Sequence, residues 1–527
     1  MAKKDEMLDL DFFTSLNGLS QAAIAQSIAA LYYVEGMKSY NEDFVEPFLM
    51  ATENFSKVEA ARFLERSPQE NFQAYGKMLQ LNSDLLAKYN QGILETFGHY
   101  SNQQLERFFS AWHATIFNSQ EENVEEYFLN HKRTLHRVLE EYPKAIAEIE
   151  PEYGFHFERY PESLVAESDR FDLRQVTPSK EGVETDDSMK PIIIVPPFVL
   201  GANILAFLPG EQKSYCHSFA NKGIPTYIRI MKTIDSNPAV QTMSLEDDAL
   251  DTKYFCEQIK AKHGQKVTLN GYCQGGFSAI CNILTGKLDG LVDALITCVA
   301  PMDGTRSKGL GKFLDALPEP FNDIAYGGKT LDSGNRVANG DLMGWVYKLK
   351  SMENSGPIVA FIRDIMMLDS TSANRQGSIN KTVAALNYWL QNERSDLPMS
   401  VTEMSFSSYN IPITKDGTLP IKMFGEKLNF KAIKAKNIPW LICYGEKDDL
   451  VEKEVALAPL DFVDAEVTPF PKGHVAIATS WSHPDSSCPL DGVFGKEKYR
   501  GPVRFHLDMQ KKTEVSVSEK NDQELNQ

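Results

Sequence analysis

The sequence predicts an α/β protein: a mostly parallel sheet with helices on both faces, carrying an inserted cap and preceded by a helical region. Three observations predict it. Continuous apolar runs recur at Ile192-Ile193-Ile194-Val195, Tyr227-Ile228-Arg229-Ile230, Val267-Thr268-Leu269, Ala294-Leu295-Ile296-Thr297-Cys298-Val299 and Trp440-Leu441-Ile442-Cys443-Tyr444, with helical stretches between them. Strands look like this when helices cover both faces of their sheet. The run through Val267 leads directly into Gly271-Tyr272-Cys273-Gln274-Gly275-Gly276, and an amphipathic segment, 277–284, follows. Before residue 150 the apolar spacing is helical instead.

Taken in order, residues 1–165 form the helical region. Ser67-Pro68-Gln69-Glu70 is a capping box with proline at the first helical position. Phe72, Tyr75, Leu79, Leu86 and Tyr89 then recur at helical spacing, and Leu105, Phe108, Phe109, Trp112 and Ile116 mark a second helical stretch. Two readings stand for these faces: a small bundle packed on itself, or a platform for a partner helix, a dimer contact or an apolar surface. Residues 166–510 form the sheet domain, after a polar loop around Thr177-Pro178 to Asp187-Ser188. Between the strands ending near Val299 and starting at Trp440 the chain is far longer than one crossover needs. Residues of about 302–435 are therefore read as a cap over the site. The stretch 511–527 is polar and charged, and is expected to be a disordered tail.

The motif at Cys273 has the pattern of a nucleophile elbow, the strained strand-to-helix turn of the α/β-hydrolase fold, with cysteine where serine usually sits. Crowding between strand and helix leaves no room for side chains two positions either side of the nucleophile. A helix N-terminus favours a thiolate there. Such a cysteine needs a base and a carboxylate to orient it, in the chain order nucleophile, acid, histidine. Only His474, His483 and His506 follow Cys273. The acid belongs after the next-to-last core strand, in Tyr444-Gly445-Glu446-Lys447-Asp448-Asp449, where Asp448 fits best and Asp449 is the fallback. His474 follows the short apolar stretch Ala465 to Phe470 and a glycine that can turn the loop. His483 and His506 have no strand before them and read as ordinary loop or surface histidines. The oxyanion hole is expected from the backbone N–H of Gln274 and a second amide in the Val195-Pro196-Pro197-Phe198-Val199 loop. Prolines lack N–H groups, so that donor is Phe198 or Val199.

Composition narrows the partners. Seven cysteines are dispersed without a CxxC pair, so neither a disulfide framework nor a metal site is expected, and a reducing, cytoplasmic location is. The N-terminus is charged, and no stretch approaches the apolar length of a membrane span. A formal net charge of −18 opposes nucleic-acid binding. An acyl-CoA substrate would need a local cluster of Lys and Arg to overcome the same field.

With these residues placed, the chain resembles the polyhydroxyalkanoate (PHA) synthases over about residues 190–480. The resemblance rests on Gly271-Tyr272-Cys273-Gln274-Gly275-Gly276, on Ile194-Val195-Pro196-Pro197, on Gly340-Asp341-Leu342-Met343-Gly344-Trp345, on Tyr388-Trp389-Leu390-Gln391-Asn392-Glu393 and on Gly473-His474. It implies that Cys273 attacks 3-hydroxyacyl-CoA thioesters, with His474 as base and Asp448 as its partner. CoA leaves and a polyester grows, in cytoplasmic granules. It implies no cofactor beyond the CoA thioester substrate, and a homodimer or a partner subunit. The sequence departs from the family where Asp449 replaces a histidine, where Thr233-Ile234-Asp235-Ser236-Asn237-Pro238 replaces a Trp-Arg-Asn-Pro segment, and where Ala206 replaces an aspartate. A cysteine hydrolase on the same scaffold, a thioesterase or polyester depolymerase, is the second reading. A non-catalytic granule-coat scaffold is the third.

Overall fold

The computed structural model describes residues 2–117, 119–317, 327–350, 352, 356–369 and 379–511. Apart from Lys511, the tail expected over 511–527 lies outside them, as does the side chain of Trp345. The chain divides into two compact units: residues 1–149 with 344–388, and residues 150–343 with 389–527. The stretch read as one cap, about 302–435, is thus shared between them.

In the first unit, α1 (Ala2–Arg62), α2 (Pro68–Phe117) and α3 (Val124–His136) pack with the later helix α6 (Pro357–Met367). The predicted capping box starts α2: Ser67 N–H donates to Glu70 Oε2 at 2.8 Å and Glu70 N–H to Ser67 Oγ at 3.3 Å. A Cβ on Gly36 would stand 2.4 Å from the Phe361 ring, so glycine there lets α6 approach α1. Tyr40 Oη donates to Asp364 Oδ2 between the same helices at 2.5 Å. The two stretches read on either side of Leu94 are one continuous helix, and its apolar stripe is not buried in a self-contained bundle. Ala74, Met78, Leu81, Leu85 and Tyr100 are buried, but Phe72 is 80 %, Leu79 73 % and Phe109 64 % exposed. Leu86, Leu105, Trp112 and Ile116 are exposed too. Burial follows the row that begins at Ala74, one face round from the aromatic row.

The second unit is built on an eight-stranded sheet: β1 (Leu164–Glu167), β2 (Phe171–Val176), β3 (Ile192–Val195), β4 (Thr226–Met231), β5 (Val267–Tyr272), β6 (Val292–Cys298), β7 (Trp440–Gly445) and β8 (Glu466–Phe470). Their spatial order is β1-β2-β4-β3-β5-β6-β7-β8. The β1–β2 and β2–β4 pairs are antiparallel, and every pair from β4 to β8 is parallel. Each apolar run of the sequence lies on a central strand: β3, β5 and β7 are buried at every position. Two helices bear on the site. The first, α4 (Leu245–His263), opens with a Ser244–Asp247 capping box and closes at Gly264. The second, α5 (Gln274–Leu284), starts where β5 ends and is buried at every residue from Gly275 onward. Between β6 and β7 the unit also holds α7 (Met399–Asn410) and the hairpin Thr418–Met423 with Glu426–Asn429. This is the α/β-hydrolase fold, with its strand order reversing between β4 and β3.

Candidate active site

The turn from β5 to α5 holds Cys273 at φ 52°, ψ −125°, a backbone region that non-glycine residues seldom occupy. Its surroundings enforce that shape. A Cβ on Gly275 would lie 2.3 Å from the Val195 carbonyl oxygen and 2.4 Å from that of Pro196, and one on Gly271 would meet Gly276 Cα at 2.4 Å. The helix therefore starts directly against the end of β3, and Cys273 is raised at the carboxyl edge of the sheet. Its amide donates to Cys298 O at 2.8 Å, fixing the turn to β6. Cys273 is partly exposed, whereas the six other cysteines, all free thiols, are buried.

The loop after β7 supplies Asp448, which is buried. Its Oδ1 accepts the backbone amides of Leu450 and Val451, each at 2.9 Å, so this carboxylate caps its own loop. Its Oδ2 faces His474 Nδ1 at 2.7 Å. Asp449 is exposed. His474 comes from the loop after β8, close enough to the Cys273 sulfur for that sulfur to act on its charge. Burial works against a charged imidazole there. The Asp448 carboxylate and the Cys273 sulfur outweigh it and hold His474 well above the usual histidine range. Three side chains from three distant parts of the chain thus meet as acid, base and thiol.

The amide of Gln274 is in the first turn of α5, where N–H groups have no helical acceptor. Of the two residues expected to complete the oxyanion hole, Val199 has its amide engaged by Gln274 Oε1 at 3.3 Å. Gln274 Nε2 in turn donates to Ser405 Oγ of α7 at 2.8 Å, so its side chain ties the β3 loop to the insertion.

Sequence reasoning missed two residues. Tyr272, beside the nucleophile, donates its hydroxyl to the His474 carbonyl oxygen at 2.9 Å and stands edge-on to that imidazole. Ser405 gives no sequence signal. Tyr272 occupies the variable position of the elbow, which the motif leaves open. His506 corrects an expectation: it is not a surface residue but fully buried, between Thr268 Oγ1 and Lys190 O, each at 3.0 Å. Burial, and then Lys190, push it down to about 3. His483 is half-buried, and its Nδ1 accepts the Asp485 amide at 3.2 Å. Among the described residues, no cluster of three or more His, Cys, Asp or Glu is placed to hold a metal ion. Among them too, no helix is long and apolar enough to cross a membrane.

No protein-family model and no curated protein matches the chain. Among solved structures it is similar to a putative aryl esterase from Burkholderia cenocepacia, at 12% identity and a TM-score of 0.31, over 67% of this chain and 98% of that one. It is similar also to a carboxylesterase of the thaumarchaeon Nitrososphaera gargenis, at 13% and 0.35, over 60% and 92%. The thioesterase domain from the curacin biosynthetic pathway matches at 11% and 0.32, over 60% and 94%. The assignment to the α/β-hydrolase fold rests on the strand order and the elbow at Cys273.

Proposed function

We propose that this protein is an acyltransferase of the PHA synthase type, polymerising 3-hydroxyacyl-CoA thioesters through an acyl-Cys273 intermediate. The observation that carries the reading is a cysteine, not a serine, at an elbow whose thiol meets the His474–Asp448 pair. The Cys273 thiolate attacks the thioester carbonyl, and the oxyanion forms toward the amides of Gln274 and Phe198. The bond from carbon to the CoA sulfur breaks, and the departing CoA thiolate takes the proton from His474. The next hydroxyl then gives its proton to His474 as its oxygen attacks the acyl-cysteine. An ester forms and Cys273 leaves as thiolate, with the proton back on the imidazole. Exchange of one thioester for another is nearly isoenergetic, so sulfur suits repeated loading. Asp448 keeps the imidazole in the tautomer and orientation both steps need.

Water competes for the same acyl-cysteine, which makes a cysteine hydrolase the second reading. The departures at Asp449, which is exposed, and Ala206, which is fully buried, favour it. In this reading the exposed stripe of α2 suits an apolar product surface or a partner helix. Incubating the full chain with 3-hydroxybutyryl-CoA is expected to yield free CoA and insoluble polyester. Free CoA with only 3-hydroxybutyrate in solution would establish the hydrolase instead.

A further inference from the structure

Helix α7 carries none of the catalytic side chains, yet it touches the nucleophile turn and the loop that bears the acid. The contacts come from Ser405 and Tyr409, which stand four residues apart and so share one face of the helix. Ser405 Oγ donates to Val401 O of its own helix at 3.2 Å and accepts from Gln274 Nε2 at 2.8 Å. A hydroxyl has one proton, and here it is spent on the helix, so only a donor can face the oxygen. That fixes the Gln274 amide with its nitrogen toward α7. Its oxygen is then turned to the β3 loop, where it accepts the Val199 N–H at 3.3 Å. One serine hydroxyl thus orders the side chain next to the nucleophile and, through it, the loop that holds Phe198.

Tyr409 reaches the acid. Its Oη donates to Leu450 O at 3.0 Å, in the loop whose Leu450 and Val451 amides hold Asp448 Oδ1 at 2.9 Å. The ring lies against backbone to get there. A Cβ on Gly304 would stand 2.3 Å from Tyr409 Cδ1, so position 304 has to be bare. The helix is itself anchored. Val401 and Met404 are buried in the core of the sheet unit, and Ser400 Oγ donates to Met243 O. A helix held in this way sets the position of both loops from one rigid body.

We propose that α7 braces the catalytic centre, with Ser405 as positioning residue for the oxyanion hole and Tyr409 as positioning residue for Asp448. The inference rests on the acyl-Cys273 reading. It serves synthase and hydrolase alike, since both build the same oxyanion and use the same base. The two contacts act on different parts of the reaction, which makes them separable. Acylation needs both the oxyanion donors and the His474–Asp448 pair. Alkylation of Cys273 by iodoacetamide builds no oxyanion and needs only the thiolate that the pair sustains.

The test uses the full chain as wild type, S405A, S405T and Y409F. It reads single-turnover acylation of Cys273 by 3-hydroxybutyryl-CoA from quenched mass spectra, alkylation by iodoacetamide at neutral pH, and thermal unfolding. Losing one hydrogen bond of this kind is expected to cost about fivefold in rate. S405A is therefore expected to slow acylation by about fivefold or more, with half-saturating substrate and alkylation within about twofold of wild type. S405T keeps the hydroxyl and is expected to recover at least about half the rate. Y409F keeps the ring and is expected to slow acylation and alkylation together, each by about fivefold. Both S405A and Y409F acylating at the wild-type rate, whatever their unfolding temperature, would show contacts that serve only the fold. So would S405A slowing alkylation as much as acylation. Either result would overturn the inference and leave the acyl-cysteine reading standing. A wild-type Cys273 that takes no acyl group would overturn both.

Discussion

Changing Asp448 to asparagine separates what this carboxylate does for the fold from what it does for chemistry. Its Oδ1 accepts two backbone amides, and an amide oxygen can do the same, so the loop is expected to keep its shape. Its Oδ2 faces His474 Nδ1 at 2.7 Å, and there an NH2 would confront the ring's own N–H. A hydrogen bond to a charged group contributes about 1.5–3 kcal/mol. At about 1.4 kcal/mol per tenfold, its loss costs about ten- to two-hundredfold in rate. A wrong tautomer takes the loss toward the roughly 10⁴-fold seen for the same change in a serine triad. The assay is CoA release from 3-hydroxybutyryl-CoA, with thermal unfolding as control and D449N beside it. D449N is expected to behave as wild type, because that side chain is exposed. Linkage gives a second readout. The folded His474 is raised above its unfolded value near 6.5, so its stabilisation is complete below about pH 6.5 and is lost as pH rises through the folded value. Wild-type stability should therefore decline from neutral into alkaline pH, and D448N should flatten that slope. If D448N kept more than a third of the activity, or D449N lost more than D448N, the assignment of the acid would be refuted.

Further predictions follow from other parts of the fold. Gly275→Ala should destabilise the protein by several kcal/mol and abolish turnover, since its methyl group would fall 2.3 Å from the Val195 carbonyl oxygen; circular dichroism and the CoA assay check this. Iodoacetamide at sub-saturating dose should label Cys273 at least tenfold faster than any other cysteine by peptide mapping, because the other six are buried. Leu79→Gln and Phe109→Gln should each change unfolding free energy by less than about 0.5 kcal/mol, as expected of side chains 73 % and 64 % exposed. A loss of 2 kcal/mol or more would show that this stripe packs inside the unit.

The central strands and the elbow were legible because burial on both faces writes itself as an unbroken apolar run, and because the glycine at 275 answers to a carbonyl a fraction of a bond length too close for any side chain. Asp448 could be preferred over Asp449 from position alone, and the structure gives the reason in its two backbone acceptor contacts. β1 and β2 escaped notice because they lie at the antiparallel end of the sheet, where burial is mixed and Asp172, Arg174 and Gln175 interrupt the apolar residues. The aromatic stripe of α2 illustrates a different limit. Helical spacing reveals that a face exists but not which of two adjacent faces its neighbours cover, and here the row through Ala74, Met78, Leu81 and Leu85 is the covered one. His506 looked like a surface residue because no strand precedes it, whereas its partners, Thr268 and Lys190, come from residues more than two hundred positions earlier. Tyr272 and Ser405 act through contacts of similarly long range, which no local pattern encodes.

The most direct measurement is the mass of the protein quenched seconds after mixing with 3-hydroxybutyryl-CoA, followed by mapping of the modified peptide. One 3-hydroxybutyryl group is expected, bound as a thioester on Cys273 and absent from Cys273→Ala. An unmodified Cys273 during active turnover, or an adduct carried by another residue, would contradict the account.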